Sequence, residues 1–310
     1  MKSKDNVTRS DAITGAALGA LGVLGFSMSL PATRVAVEHL DPWFVAFGRA
    51  VGAGLLAAAY LLVVRAPRPT AAQWRRLAVV ALGVVAGFPM FTSLALQTST
   101  AAHGAVVVAL LPAMTAGFAV LRARERPAPA FWLAGAAGLL AVLVFLALSG
   151  SVSGALGPAD LFLLAAIVLC GLGYAEGGAL ARELGGARTI CWALVLALPA
   201  TVAITAAAAL RHPPAAPAAG WAGFAYLTVI SMFLGFFAWY AGLARGGVAR
   251  VGQIQLAQPV LTLAWSAWLL HEHVPPVAVA AAVLVLACVA LTQRLRFGKP
   301  ETYGPERVTT

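Results

Sequence analysis

Hydrophobic positions in this chain do not alternate with polar ones; they run together. Ten apolar stretches of about twenty residues each cover most of its length, at 12–33, 43–64, 76–97, 102–121, 130–149, 158–181, 189–210, 220–243, 247–270 and 275–293. A helix rising ~1.5 Å per residue needs about 20 apolar residues to cross a hydrocarbon layer ~30 Å thick. Backbone groups in lipid must find their hydrogen bonds internally, which a helix provides. Each stretch therefore predicts a spanning helix, and the fold class is all-α membrane with ten transmembrane helices. The connections are short, and several hold helix-stopping prolines, as in Ala66-Pro67-Arg68-Pro69, Pro127-Ala128-Pro129 and His212-Pro213-Pro214. Lys2, Lys4 and Arg9 precede the first run as in a secretory leader, but the run is too long for one and nine more follow.

Composition agrees. Hydrophobic residues make up 61% of the chain and charged residues 10%, with a mean hydropathy of +0.88. Soluble domains sit near 45–50% apolar and about 25% charged, so lipid rather than a soluble core must take up the surplus. A net charge of +10 would suggest nucleic acid in a soluble protein. Here the basic residues gather at segment ends, and no nucleic-acid partner is expected. With the N-terminus inside, the interior loops and tails hold eighteen Lys and Arg residues and the exterior loops only Arg34 and Arg211. That positive-inside asymmetry predicts a multi-pass protein with both termini cytoplasmic. The Arg-, Ala-, Gly- and Val-rich composition points to a GC-rich bacterial genome, hence to the bacterial plasma (inner) membrane. Cys170, Cys191 and Cys288 lie inside apolar segments, without disulfide or metal spacing.

The chain also repeats itself. Ala95–Glu125 aligns with Gly242–Glu272 at an offset of 147: Leu96 meets Leu243, Pro112 meets Pro259, Thr115 meets Thr262 and Glu125 meets Glu272. Five helices per half is an odd number, so the second half enters the membrane inverted. The organisation expected is a tail over 1–11, a five-helix repeat over 12–149, a second over 158–293 and a tail over 294–310. Inverted repeats are an architecture of secondary transporters, with the site at the repeat interface near the midplane.

Three further stretches carry a family resemblance: Leu24-Gly25-Phe26-Ser27-Met28-Ser29 with Pro42-Trp43-Phe44 and Phe47-Gly48-Arg49; Ala95-Leu96 through Ala101-Ala102 with Leu110-Leu111-Pro112 and Arg124-Glu125-Arg126; and Tyr174-Ala175-Glu176-Gly177-Gly178 with Ala181-Arg182-Glu183-Leu184. With the length, the helix count and the paired Pro and Glu, they resemble the EamA-type proteins of the drug/metabolite transporter superfamily over residues 12–293. Leu24 stands where the family usually has Trp. The resemblance implies two five-helix repeats and transport of amino acids, other metabolites or drugs, often outward.

A carrier needs polar groups inside its bundle and helices able to part. Glu176 lies within predicted helix 6 as a proton-coupling or cation-binding group, or as a carboxylate near the cytoplasmic edge, about 9 Å along the helix from Arg182. Arg49, six residues into predicted helix 2, suits an anionic group such as a substrate carboxylate, or snorkels out to Asp41 or Glu38. A direct Arg49–Glu176 pair is not expected, since about 12 Å of depth separates them. In predicted helix 9, Gln255, Gln258, Thr262 and Ser266 share one face, which should meet protein or a watery cavity. Pro259 interrupts that helix, and Pro112 interrupts predicted helix 4. Phe91 and Thr92, with Phe88 and Gln97 nearby, offer a wall from predicted helix 3; Trp239 and Tyr240, after Phe233, Phe236 and Phe237, offer another. Ser27 and Ser29 lie deep enough to touch a cavity.

His271-Glu272-His273 splays its imidazoles and lacks a third ligand, so no metal is expected. Without GxxxxGK[ST] or a catalytic triad, neither ATP hydrolysis nor another enzymatic activity is expected. No cofactor is expected. The reading is a secondary, alternating-access transporter of a small metabolite, amino-acid-like solute or drug, of the export type. A proton, the membrane potential or neither could drive it, as monomer or homodimer. The alternative is an intramembrane enzyme or lipid-handling protein.

Overall fold

The computed structural model of the protein describes residues 9–123, 129–149, 157–246, 251 and 254–297, and no strand occurs among them. The helices are labelled in chain order, one label carried across an interruption. They are α1 (Arg9–Ser27, Ser29–Val37), α2 (Pro42–Val63), α3 (Ala71–Val80, Ala81–Gly87, Phe88–Ala95), α4 (Ala101–Val108, Leu111–Ala123), α5 (Pro129–Ser149) and α6 (Pro158–Leu184). There follow α7 (Gly186–Arg211), α8 (Ala218–Tyr226, Leu227–Leu234, Gly235–Gly246), α9 (Ala257–Leu269) and α10 (Pro276–Phe297). Seven of them, α1–α4 and α6–α8, are long and apolar enough to cross a bilayer. In α5 and α10 the described apolar stretches are shorter, Trp132–Ala141 and Pro276–Cys288.

Local chemistry sets the helix starts. Asp41 caps α2, its Oδ1 accepting from Trp43 N and Phe44 N at 2.9 and 3.0 Å, with Pro42 at the first position, where its missing N–H is harmless. Thr70 and Gln73 form a reciprocal capping box that starts α3 at Ala71, five residues before the sequence-based start at 76. Thr100 caps α4 through His103 N at 3.0 Å. Predicted helix 9 starts at 247; in the structure Val251 and Ile254 are helical, a turn follows at Gln255 and Leu256, and helix resumes as α9 at Ala257, while 247–250, 252 and 253 lie outside the described residues.

The helices pair across the sequence. α1 packs on α8, α2 on α7, α5 on α10, both α3 and α4 on α6, and α9 on α1 and the first part of α4. Small residues let two of these pairs approach closely. A Cβ on Gly242 of α8 would lie 2.7 Å from Gly19 N of α1, and one on Gly83 of α3 would lie 2.8 Å from Gly173 Cα of α6. Large apolar side chains such as Leu62, Val63, Leu133 and Leu140 point outward. That suits a chain solvated by lipid.

Among the described residues five helices are interrupted in mid-course, α1 at Met28 and the four that follow. In α4 the α-ladder breaks at Ala109–Leu110, because Pro112 has no N–H for the Val108 carbonyl and its ring crowds it. The turn before Pro259 in α9 has the same cause. Segments Ala81–Gly87 of α3 and Leu227–Leu234 of α8 are π-helical. Each ends at glycine. A Cβ on Gly87 would lie 2.7 Å from the Leu82 carbonyl oxygen, and one on Gly235 would lie 2.8 Å from that of Ile230. The wider turn brings the carbonyl five residues back over the glycine Cα, where a side chain would collide. π-turns of this kind recur at functional sites.

Candidate functional site

The interruptions converge on a narrow cavity of about 30 Å³, room for a water molecule or two. Phe26, Ser29 and Leu30 of α1 line it beside Arg49 of α2. The π-turn of α3 contributes Val84, followed by Phe88 and Pro89; that of α8 contributes Ser231 and Met232, followed by Phe236. Leu111 precedes Pro112 and Gln258 precedes Pro259, so each proline break sets the residue before it on the wall. Cys170 and Tyr174 of α6 complete the lining.

Its polar groups are few. The Ser29 and Ser231 hydroxyls lie 2.7 Å apart, bridging α1 and α8. Arg49 is 2% exposed, and its Nε and Nη2 have no hydrogen-bond partner among the described residues. Arg49 does not snorkel to Asp41 or Glu38: Asp41 caps α2, and Glu38 pairs with Arg34 at 3.3 Å. No acidic side chain lines the cavity among the described residues. Placing an arginine at mid-helix in a membrane costs about 2.5–3.5 kcal/mol on insertion scales, and a guanidinium keeps its charge. The cavity thus holds one fixed positive charge with one fork of donors, Nε and Nη2, unfilled among the described residues. Gln258 Oε1 is likewise buried without a partner among the described residues.

Aromatic rings pack behind this wall. Phe26 meets Phe236 edge-on at 4.9 Å between centroids, and Tyr174 lies 6.0 Å from both Phe236 and Trp239. Trp239 and Tyr240 are buried in this cluster without being cavity-lining residues, and the Tyr240 hydroxyl rests against Gly177.

Of the candidates read from sequence, Ser29, Arg49 and Gln258 meet at the cavity, together with Phe88 and Phe236 of the two aromatic walls. The others lie around it. Ser27 serves as mortar between α1 and α9: its hydroxyl donates to Leu24 O and accepts from Trp265 Nε1 at 2.9 Å, while its carbonyl accepts from Thr262 Oγ1 at 2.8 Å. Thr92 bonds back to the Phe88 carbonyl at 2.7 Å, and Phe91 stacks on Phe162. Gln255, Thr262 and Ser266 are buried with Gln258, so the stripe faces protein, yet only Gln258 reaches the wall. Pro112 acts through the break that it makes. Glu176 is buried away from the lining and pairs with Arg76 of α3. The lining residues that sequence reasoning passes over are Leu30, Pro89, the π-turn residues Val84, Ser231 and Met232, and Cys170, which reads from sequence only as a small buried hydrophobe. Ser231 lies 147 residues after Val84, the offset of the sequence repeat, which is a usable signal.

Both ends of the bundle are tied. At one end Arg76 bridges Glu176 and Glu183 of α6, with Gln73 Nε2 donating to Glu183 at 3.2 Å. At the other, His103 of α4 meets Asp160 of α6 at 2.8 Å. There too, Glu272 accepts from Ala101 N and Ala102 N, both at 2.9 Å, and so caps α4. His271, in the left-handed region at φ 52°, turns the chain so that Glu272 can reach. The ends of α6 that carry Asp160 and Glu183 are about 35 Å apart at ~1.5 Å per residue.

A model of the EamA-like transporter family matches this sequence twice, over residues 13–147 and 157–294. The chain is 47% identical over 276 residues to the uncharacterized transporter YdeK of Bacillus subtilis (strain 168), covering 89% of this chain and 96% of that protein. One solved crystal structure shares the fold at a TM-score of 0.60 with 20% identity, covering 91% of this chain and 98% of the other. Matched along nearly its whole described length, this helical membrane protein belongs to the EamA-like transporter family.

Proposed function

We propose that the protein is an alternating-access exporter of a small metabolite in the bacterial plasma membrane, built of ten spans in two inverted five-helix repeats. The observation that carries this reading is the pairing of positions on the cavity wall. Val84 and Ser231, Pro89 and Phe236, Leu111 and Gln258 are each separated by the same 147 residues found in the sequence repeat. Helix packing supports it: an inverted duplication relates the α1–α8 contact to α6–α3, and maps α2–α7, α4–α9 and α5–α10 onto themselves. The two family matches divide the chain at the same place.

In this reading the narrow cavity is the collapsed, cargo-free form of the site, too small for a solute until one end opens, and it is closed at both ends by ties that join one half to the other. Breaking the Arg76–Glu176–Glu183 tie opens one side, and breaking the His103–Asp160 and Glu272 ties opens the opposite side. Both termini are cytoplasmic by the charge asymmetry, which makes the Arg76 end the inner gate. The alternative of an intramembrane enzyme has less support, since the family and the Bacillus relative are transporters.

The test is flux. Proteoliposomes are screened against a metabolite panel, with cysteines at Gln73 and Glu183 joined by a cleavable cross-linker in a background lacking Cys288. Flux that stops on cross-linking and returns on cleavage is expected. Flux of no panel member, or flux indifferent to the cross-link, would contradict the proposal.

A further inference from the structure

We infer that the cargo is an organic monoanion, a carboxylate on an apolar or aromatic body, whose charge sits on Arg49. This deepens the transport reading and rests on it. The fork of Arg49 is buried in the wall, with Nε and Nη2 unfilled among the described residues. A planar carboxylate answers two such donors at once, which a point acceptor such as water does less well. Ser29 and Ser231 add hydroxyls: their mutual bond uses one proton, leaving the other to donate. Phe26, Phe88 and Tyr174 supply rings for the rest of the molecule.

The charge balance narrows the class further. A zwitterion would bring an ammonium as well, and no carboxylate lines the cavity to receive it among the described residues. Glu176, the acid closest in sequence to this wall, is already engaged by Arg76. A cation would meet Arg49 directly. The complement of this cavity therefore carries a net charge of one minus. Such a cargo also needs no coupled ion to leave the cell. An interior-negative potential expels an anion with a gradient of roughly 50-fold per 100 mV, the equivalent of ~2.3 kcal/mol per charge.

The experiment uses the full chain in lipid nanodiscs and four probes sharing one phenylethyl body: 3-phenylpropionate, 3-phenylpropionamide, L-phenylalanine and phenethylamine. Thermal stabilisation is read against concentration. The carboxylate is expected to half-saturate at a concentration at least ~10-fold lower than the other three. Arg49→Gln should erase that preference, and Arg49→Lys, which keeps the charge without the fork, should retain part of it. If Arg49→Gln fails to fold, the wild-type series alone decides. Equal or tighter binding of the amide, the zwitterion or the amine overturns the inference, and so does stabilisation by none of the four. The transport reading fails separately: a carboxylate that binds but is never moved across proteoliposomes leaves the anion site standing and removes the carrier.

Discussion

Two arginines enter the helix bundle and end in opposite surroundings. Arg76 is 24% exposed and is held by two carboxylates, Glu176 at 1% and Glu183 at 45% exposure. Arg49 is 2% exposed, lines the cavity, and has no carboxylate beside it in the lining among the described residues. The first is a finished ion pair whose charge is spent on joining α3 to α6. The second is an unfinished one, in a place where an unsatisfied cation is expensive. A fold that satisfies one arginine doubly and leaves the other bare separates a structural charge from one available to a ligand.

Substitution sharpens the contrast. Arg49→Gln should reduce flux by about 100-fold, equivalent to ~2.7 kcal/mol of lost binding, with unchanged expression and thermal midpoint in the absence of cargo; proteoliposome flux checks it. A collapse of the ligand-free midpoint would instead make Arg49 a structural residue like Arg76. Glu176→Ala should act the other way round. It leaves Arg76 with only its exposed partner, costing about 1–3 kcal/mol of stability after allowance for the partial exposure of Arg76, and the Arg76→Gln/Glu176→Gln double variant should recover part of that in a thermal melt. Gly83→Ala pushes a methyl group against the Leu169 carbonyl and the Gly173 backbone, neither of which can yield cheaply. A loss of about 1–3 kcal/mol is expected. Glu272→Ala uncaps α4 and should cost about 0.5–2 kcal/mol. Glu183→Gln, at an exposed site, should change the stability read from a thermal melt least, by no more than about 1 kcal/mol.

How legible this was depends on which physics each feature rests on. Helix positions could be read because an apolar run of spanning length has one solution in lipid. Asp41-Pro42 and Thr100 put the starts of α2 and α4 within a residue of the expected places. Arg76 was harder. The sequence places it at the first residue of predicted helix 3 and counts it with the interior charges, but the Thr70–Gln73 box begins α3 five residues earlier and sets Arg76 more than a turn inside the helix, where it pairs with Glu176. A depth estimate based on α2 and α6 alone could not find that partner. The π-turns were invisible for another reason. A π-turn changes which side chains face inward without changing how apolar the segment is, so composition and periodicity do not single out Val84, Ser231 and Met232. The glutamine stripe shows the converse: periodicity placed Gln255, Gln258, Thr262 and Ser266 inside protein, while the break at Gln255–Leu256 brought only Gln258 to the wall.

The central claim is that the two halves close the cavity from opposite ends in turn. Spin labels at Gln73 and Glu183 report one end, and labels at the exposed Gln97 and His273 report the other. Pulsed dipolar distances measured with and without cargo should move in opposition, one pair lengthening as the other shortens. Pairs that stay fixed, or lengthen together, would contradict the account.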